Sequence, residues 1–227
     1  MNEQKLQTDG GTFLPGTEIE IVNPNIDRGK IQFALFDFDG TLSLIREGWQ
    51  QVMIPMMVEI LQELDTYESE EELSEVVTEF VTRLTGKQTI YQMIELAEEV
   101  KKRGGEPKEP LEYKHQYLDL LWDRIQDRVE GLESGQLQPM DFVVPGAMDI
   151  LSELNDRDVT IYLASGTDQP YVLNESGVLG LHPFFPERIY GALDDYKNFS
   201  KRMIIQKILS ENNLSGHLSS FPLLIHN

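Results

Sequence analysis

The sequence predicts an α/β fold, a parallel sheet core of Rossmann-like type interrupted by an inserted α-helical bundle, and three observations predict it. A short apolar, aromatic-rich run, Ile31 to Phe36 (IQFALF), leads straight into a polar, glycine-bearing segment, as a buried parallel strand does at its carboxyl end. Between residues 45 and 132 apolar side chains recur at three and four, the period of amphipathic helices. From Asp141 onward strand and helix patterns alternate again, which marks a parallel sheet covered by helices. The expected division is therefore an N-terminal arm over 1–30, an α/β core made of 31–44 and 141–227, and a helical insertion over 45–140.

Each element has its own local reason. The arm is polar and punctuated by Gly10, Gly11, Pro15, Gly16 and Pro24, which leaves room for one short extended piece at Ile19 to Val22. In the insertion, Trp49, Val52, Met53, Met56, Met57, Ile60, Leu61 and Leu64 form one helical stripe, with Pro55 inside it as an expected kink. Leu73, Val76, Val77, Phe80, Val81 and Leu84 form a second stripe behind a Ser69/Glu72 capping box. Ile90, Met93, Ile94, Ala97 and Val100 mark a third, ended by Gly104 and Gly105, and Leu118, Leu121, Trp122, Ile125, Val129 and Leu132 a fourth. Beyond Asp141 the pattern predicts a helix over Ala147 to Leu154 and a strand over Val159 to Ala164, followed by SGTD and another helix. Arg188 to Tyr190 reads as a short strand. Lys201 to Glu211 reads as a helix with Ile204, Ile205, Ile208 and Leu209 inward, and Pro222 to Ile225 as a last strand.

Composition narrows the function classes. With 39 acidic against 19 basic residues the formal charge is -20, a field that repels nucleic acid and anionic lipid surfaces. The same field repels a phosphate ester, so any phosphate site needs a cation and local lysine to reverse the potential. The chain has no cysteine, which excludes disulfides, thiolate metal sites and cysteine nucleophiles and fits a reducing, cytoplasmic setting. Neither the opening MNEQKLQTDGG nor any later stretch has the apolar length of a signal core or a membrane span.

The chemistry starts at Asp37 and Asp39, which flank Phe38 directly after the first strand. If strand geometry persists, both face one side at the sheet's carboxyl edge, where open α/β sheets place ligands. Gly40 then permits a turn that other residues take with difficulty. Two crowded carboxylates suit a hard dication, magnesium for phosphate chemistry. Phosphoryl transfer asks mainly for position and charge neutralisation, so one carboxylate can attack phosphorus while its neighbour moves the leaving group's proton. A bare D-x-D also ends strands as a metal-free Asx turn. An EF-hand is excluded, because its glycine follows the third acidic position between two helices.

Asp37-Phe38-Asp39-Gly40-Thr41 after an apolar strand resembles the first signature, DxDGT, of the haloacid dehalogenase superfamily. The resemblance implies that Asp37 is a nucleophile that becomes an aspartyl phosphate and Asp39 the general acid and base. Both would be magnesium ligands, Asp39 through its backbone carbonyl, with Thr41 supporting the loop. The superfamily's second signature, a Ser or Thr ending the next strand, is matched by Ser165 in YLASG. Its hydroxyl and the Gly166 N–H are then expected to hold the phosphoryl group. Taken alone, a serine there is also an ordinary helix cap, although Thr167 and Asp168 are available for that task. The third signature is a phosphate-neutralising lysine. Lys201, opening a helix after Ser200, fits it, and Lys197 in the preceding loop is the alternative. The resemblance spans residues 31 to 225, and the helical insertion is similar to the cap of phosphoglycolate phosphatase-like and β-phosphoglucomutase-like members, which closes over the site.

The fourth signature, a glycine with aspartates after the last strand, has no counterpart, since the sequence reads His226 and Asn227 after LLI. The expectation is a truncated relative, because histidine nitrogen suits softer ions than magnesium. His115 and His182 read as surface or packing residues. Three functions follow: a magnesium-dependent phosphatase of a small phosphorylated metabolite, a sugar phosphate mutase, or a weakly active remnant that binds a ligand or protein.

Overall fold

The computed structural model describes residues 12–25, 29–194, 200–212 and 224–225. The backbone divides into two compact units, residues 1–31 and 32–227. Within the first, Phe13 bridges Glu20 in antiparallel fashion, and the Ile21 N–H donates to the Thr12 carbonyl at 2.6 Å. The expected extended piece thus forms one arm of a short hairpin.

The second unit is built on four parallel strands in the order β3-β2-β1-β4: β1 (Phe33–Phe36), β2 (Thr160–Asp168), β3 (Ile189–Ala192) and β4 (Leu224–Ile225). Phe33 to Phe36 align with Thr160 to Leu163, and Leu35 and Phe36 with Leu224 and Ile225. Side chains alternate across the sheet. Leu35, Tyr162 and Ala164 join Ala192, Ile204 and Ile208 in one buried cluster, while Phe36 meets the edge of Phe185 at a centroid separation of 6.4 Å. Burying each large side chain of this kind contributes about 1.5–3 kcal/mol. The helices α5 (Ala147–Asp156), α6 (Gln169–Val178) and α7 (Lys201–Glu211) pack against β2.

Four helices lie between β1 and β2 in the chain: α1 (Gln50–Gln62), α2 (Glu70–Leu84), α3 (Thr89–Lys102) and α4 (Pro110–Glu133). They form where the apolar periodicity predicts. α1 runs unbroken through Pro55, which is exposed. α2 begins on the expected capping box, with the Glu72 N–H donating to Ser69 Oγ and the Ser69 N–H to Glu72 Oε2. Among the described residues no helix is long and apolar enough to cross a membrane.

Two elements differ from expectation. β2 does not stop at Ala164: it continues through Ser165 to Asp168, with a register irregularity against β3 over that stretch. The continuation is polar, so hydrophobic pattern alone ends the strand too soon. α4 begins before its apolar stripe and buries Tyr113, Lys114 and Tyr117 alongside Leu121, Ile125 and Val129. Trp122 remains 39% exposed. The face is rotated because part of it looks at polar groups, which an apolar count does not register.

Candidate active site

β1 delivers Asp37 and Asp39 to its carboxyl end, and a tight loop fixes them there. The Phe38 carbonyl accepts the N–H groups of Thr41, Leu42 and Ser43 at 3.2, 2.9 and 3.0 Å, and the Gly40 N–H donates to the Ser43 carbonyl at 2.9 Å. Gly40 sits at φ +72°, a conformation that favours glycine. Thr41 supports this loop through its N–H; its buried hydroxyl has no hydrogen-bond partner among the described residues.

Asp37 is buried, with 8% of its surface exposed. Its Oδ1 accepts the Phe38 N–H at 2.9 Å, and its Oδ2 lies 2.7 Å from Lys201 Nζ. Lys201 is placed there as the first residue of α7, whose Ser200 N-cap accepts the Met203 N–H at 3.2 Å. Lys197 lies outside the described residues. Asp39 takes different partners: its Oδ2 accepts from Thr167 Oγ1 at 2.7 Å and from Ser165 Oγ at 3.2 Å. Its Oδ1 is buried without a hydrogen bond among the described residues, and Arg46 Nε stands 4.0 Å from it. Burial raises the Asp39 pKa above the usual carboxylate value, and the Asp37 charge adds to this; Arg46 and the two hydroxyls oppose it without reversing the direction.

Ser165 is buried and also accepts the Thr167 N–H at 3.0 Å. Asp168 stands at the N-cap of α6 but makes no side-chain cap hydrogen bond: the Thr167 hydroxyl goes to Asp39, and the Asp168 carboxylate pairs with Lys114 Nζ at 2.7 Å. Gly166 lies against the turn between α2 and α3, where a Cβ would stand 2.5 Å from the Lys87 carbonyl oxygen.

Two adjoining chambers meet over this strand end. One, of about 460 Å³, is lined by Asp37, Asp39, Gly166 and Thr167, with Arg46, Lys87 and Tyr117 among its walls. The other, of about 400 Å³, is lined by Ser165, Gly166, Lys201 and Arg202. Gly86, Lys87 and Gly166 border both. Asp37, Asp39, Ser165, Gly166 and Lys201 therefore meet at the carboxyl end of the central strands.

Other residues at this edge were not singled out by sequence. Arg46 and Glu175 form a buried pair, with Nη2 2.6 Å and Nε 3.0 Å from Glu175 Oε1. Burial alone would lower the Arg46 pKa, but the charge and hydrogen bonds of Glu175 raise it above its ordinary value. Burial likewise raises the Tyr117 hydroxyl, so it stays protonated. A charged residue inside the apolar stretch LSLIREGW was the available signal for Arg46; Glu175 lies 129 positions away and gave none. His115 is exposed, and His182 Nε2 packs on the Leu173 carbonyl and Ser176 Oγ at 3.0 and 3.1 Å.

No group of three or more His, Cys, Asp or Glu poised for a metal occurs among the described residues. The two carboxylates nevertheless fit a hard dication by donor type: all-oxygen, adjacent, with one buried Asp39 oxygen lacking a hydrogen bond. His226 and Asn227 lie outside the described residues.

A model of haloacid dehalogenase-like hydrolases matches residues 31–211. Among solved structures, a β-phosphoglucomutase from Clostridium difficile is 14% identical and covers 81% of this chain and 71% of its own, at a TM-score of 0.51. A predicted phosphoglycolate phosphatase from Haemophilus somnus 129PT is 13% identical, with 81% and 72% covered and a TM-score of 0.49. CbbY from Rhodobacter sphaeroides, in complex with phosphate, is 17% identical, with 81% and 73% covered and a TM-score of 0.49. Likeness at these identities concerns the fold. No curated protein matches.

Proposed function

This chain belongs to the haloacid dehalogenase-like hydrolases, and we propose that within that family it is a magnesium-dependent phosphatase of a small phosphorylated metabolite, working through an aspartyl phosphate on Asp37. One observation carries the reading: Asp37 is held by Lys201 Nζ at 2.7 Å while Asp39, hydrogen-bonded to Ser165, lines the same cavity. A nucleophile and a proton carrier thus line one chamber of the size a small ester fills, joined by an ion pair and a hydrogen bond to a cation and a hydroxyl donor that line the adjoining one.

Asp37 attacks phosphorus, and the leaving oxygen takes its proton from Asp39, whose raised pKa favours carrying one. Asp39, now ionised, accepts a proton from water as that water attacks the aspartyl phosphate and releases inorganic phosphate. Ser165, the Gly166 N–H and Lys201 orient the phosphoryl oxygens and offset their charge. Asp37 and Asp39 would hold Mg²⁺, an ion that commonly takes one or two carboxylates and completes its shell with water and phosphate oxygens. Its contribution when bound is charge neutralisation between nucleophile and phosphate. Residues 31–44 and 141–227 form the core in this reading and 45–140 the cap, whose α2–α3 turn lies against Gly166 and would close over the site.

The test is phosphate release from an aryl phosphate with and without magnesium, in the native protein and in Asp37→Asn. Magnesium-dependent turnover that disappears in Asp37→Asn supports the reading; turnover unaffected by the substitution contradicts it. Product analysis with a hexose 1-phosphate separates hydrolysis, which releases inorganic phosphate, from a mutase, which returns an isomeric sugar phosphate.

A further inference from the structure

The ion pair of Arg46 and Glu175 is left unused by the mechanism above. Arg46 leaves the loop that follows Asp39, and Glu175 comes from α6; their side chains are 8% and 3% exposed. Burying two charges usually costs more in lost hydration than their attraction returns, so such a pair is weak evidence for stability. Its location is informative. Arg46 lines the chamber that holds both aspartates, and its Nε stands 4.0 Å from Asp39 Oδ1.

The guanidinium is held in one orientation. Glu175 engages only its Nε and Nη2 edge, and the Tyr171 ring lies 5.1 Å from its central carbon. Arg128 of α4 donates to the carbonyls of Ile45 and Glu47 at 2.7 and 3.0 Å, which pins the backbone on both sides of Arg46. At 4.0 Å the cation is near enough to act on the Asp39 side of the chamber, yet it makes no hydrogen bond to Asp39 Oδ1.

In-line attack by Asp37 sends the departing oxygen to the far side of phosphorus, toward Asp39. Negative charge grows on that oxygen as the P–O bond lengthens, before the proton from Asp39 has fully arrived. A fixed cation there stabilises the transition state without reorganising. Resting on the phosphatase reading above, we propose that Arg46 is a catalytic residue that stabilises the leaving oxygen, and that Glu175 is the positioning residue that aims it. The P–O bond still breaks to oxygen and the proton still comes from Asp39; Arg46 donates hydrogen bonds and transfers nothing.

The demand for such help depends on the leaving group. A series of substituted phenyl phosphates, from phenyl through p-nitrophenyl to dinitrophenyl, reads it as the slope of log kcat/KM against leaving-phenol pKa with magnesium present. Arg46→Met alone would strand the Glu175 carboxylate, so the variant is Arg46→Met with Glu175→Leu. The expected result is a steeper slope, with phenyl phosphate slowed about 100-fold and the dinitrophenyl ester nearly unaffected. A folded variant with the native slope, whether all esters slow equally or none does, overturns the proposal and assigns the pair to packing. If the double variant does not fold, Arg46→Lys, which keeps the charge without the fork, should steepen the slope partly, and an unchanged slope there also overturns it. A native protein that hydrolyses none of the esters overturns the phosphatase reading itself, and the role of Arg46 with it.

Discussion

Asp39 and Asp37 sit two residues apart, yet the fold gives them opposite surroundings. Asp37 is met by an ammonium, whereas Asp39 has hydroxyls on one oxygen and a buried, unbonded second oxygen. Burial raises the Asp39 pKa above its unfolded value of 3.8, so its contribution to stability is fully present below that value and is lost as pH rises through the folded pKa. Asp39→Asn, in protein treated with a chelator, is therefore expected to raise Tm more at about pH 8 than at about pH 4. An equal shift at both would mean that burial leaves no mark on this carboxylate. These two residues, with Ser165 and Lys201, were legible because each stands directly beside its own strand or helix signal. Arg46, Glu175 and Tyr117 were not, because their significance is a meeting of segments that are far apart in the chain, and no local pattern encodes which partner a buried charge will find.

Elements are where hydrophobic periodicity reads best and where its blind spot lies. The four inserted helices and the core strands appear where their apolar positions recur, and the Ser69 capping box begins α2 as read. Phe80→Ala in that helix removes a side chain only 1% exposed and should cost about 3–5 kcal/mol in a denaturant titration. The polar end of β2 and the cavity-facing side of α4 were missed, since their residues are chosen for partners such as Asp39 and Asp168. Gly166 shows how closely two elements meet there: a methyl group would stand 2.5 Å from the Lys87 carbonyl. Gly166→Ala is expected to displace the α2–α3 turn, costing about 1–3 kcal/mol and lowering kcat/KM roughly 10- to 100-fold. Native kinetics in that variant would show that the turn need not rest on the strand end.

At the scale of the molecule, the α/β class and the parallel sheet were readable because alternation of strand and helix is a global pattern; the strand order β3-β2-β1-β4 is a matter of packing that the pattern leaves open. The net charge of -20 opposes approach of a dianionic ester. Raising ionic strength from about 0.01 M to about 0.1 M shortens the Debye length from about 30 Å to about 10 Å, so kcat/KM for such an ester is expected to rise. A steep fall would mean that the local cations at Asp37, rather than the whole-molecule field, govern encounter. The proposed chemistry rests on Asp37 receiving the phosphoryl group, and Asp39→Asn offers the most direct view of that event. Without Asp39 to activate water, the intermediate formed from an aryl phosphate and magnesium should accumulate. Acid-quenched protein is then expected to carry the mass of one phosphoryl group on the peptide containing Asp37. An adduct on any other peptide, or phosphate release by the native protein with no adduct on Asp37 in the variant, would contradict the account.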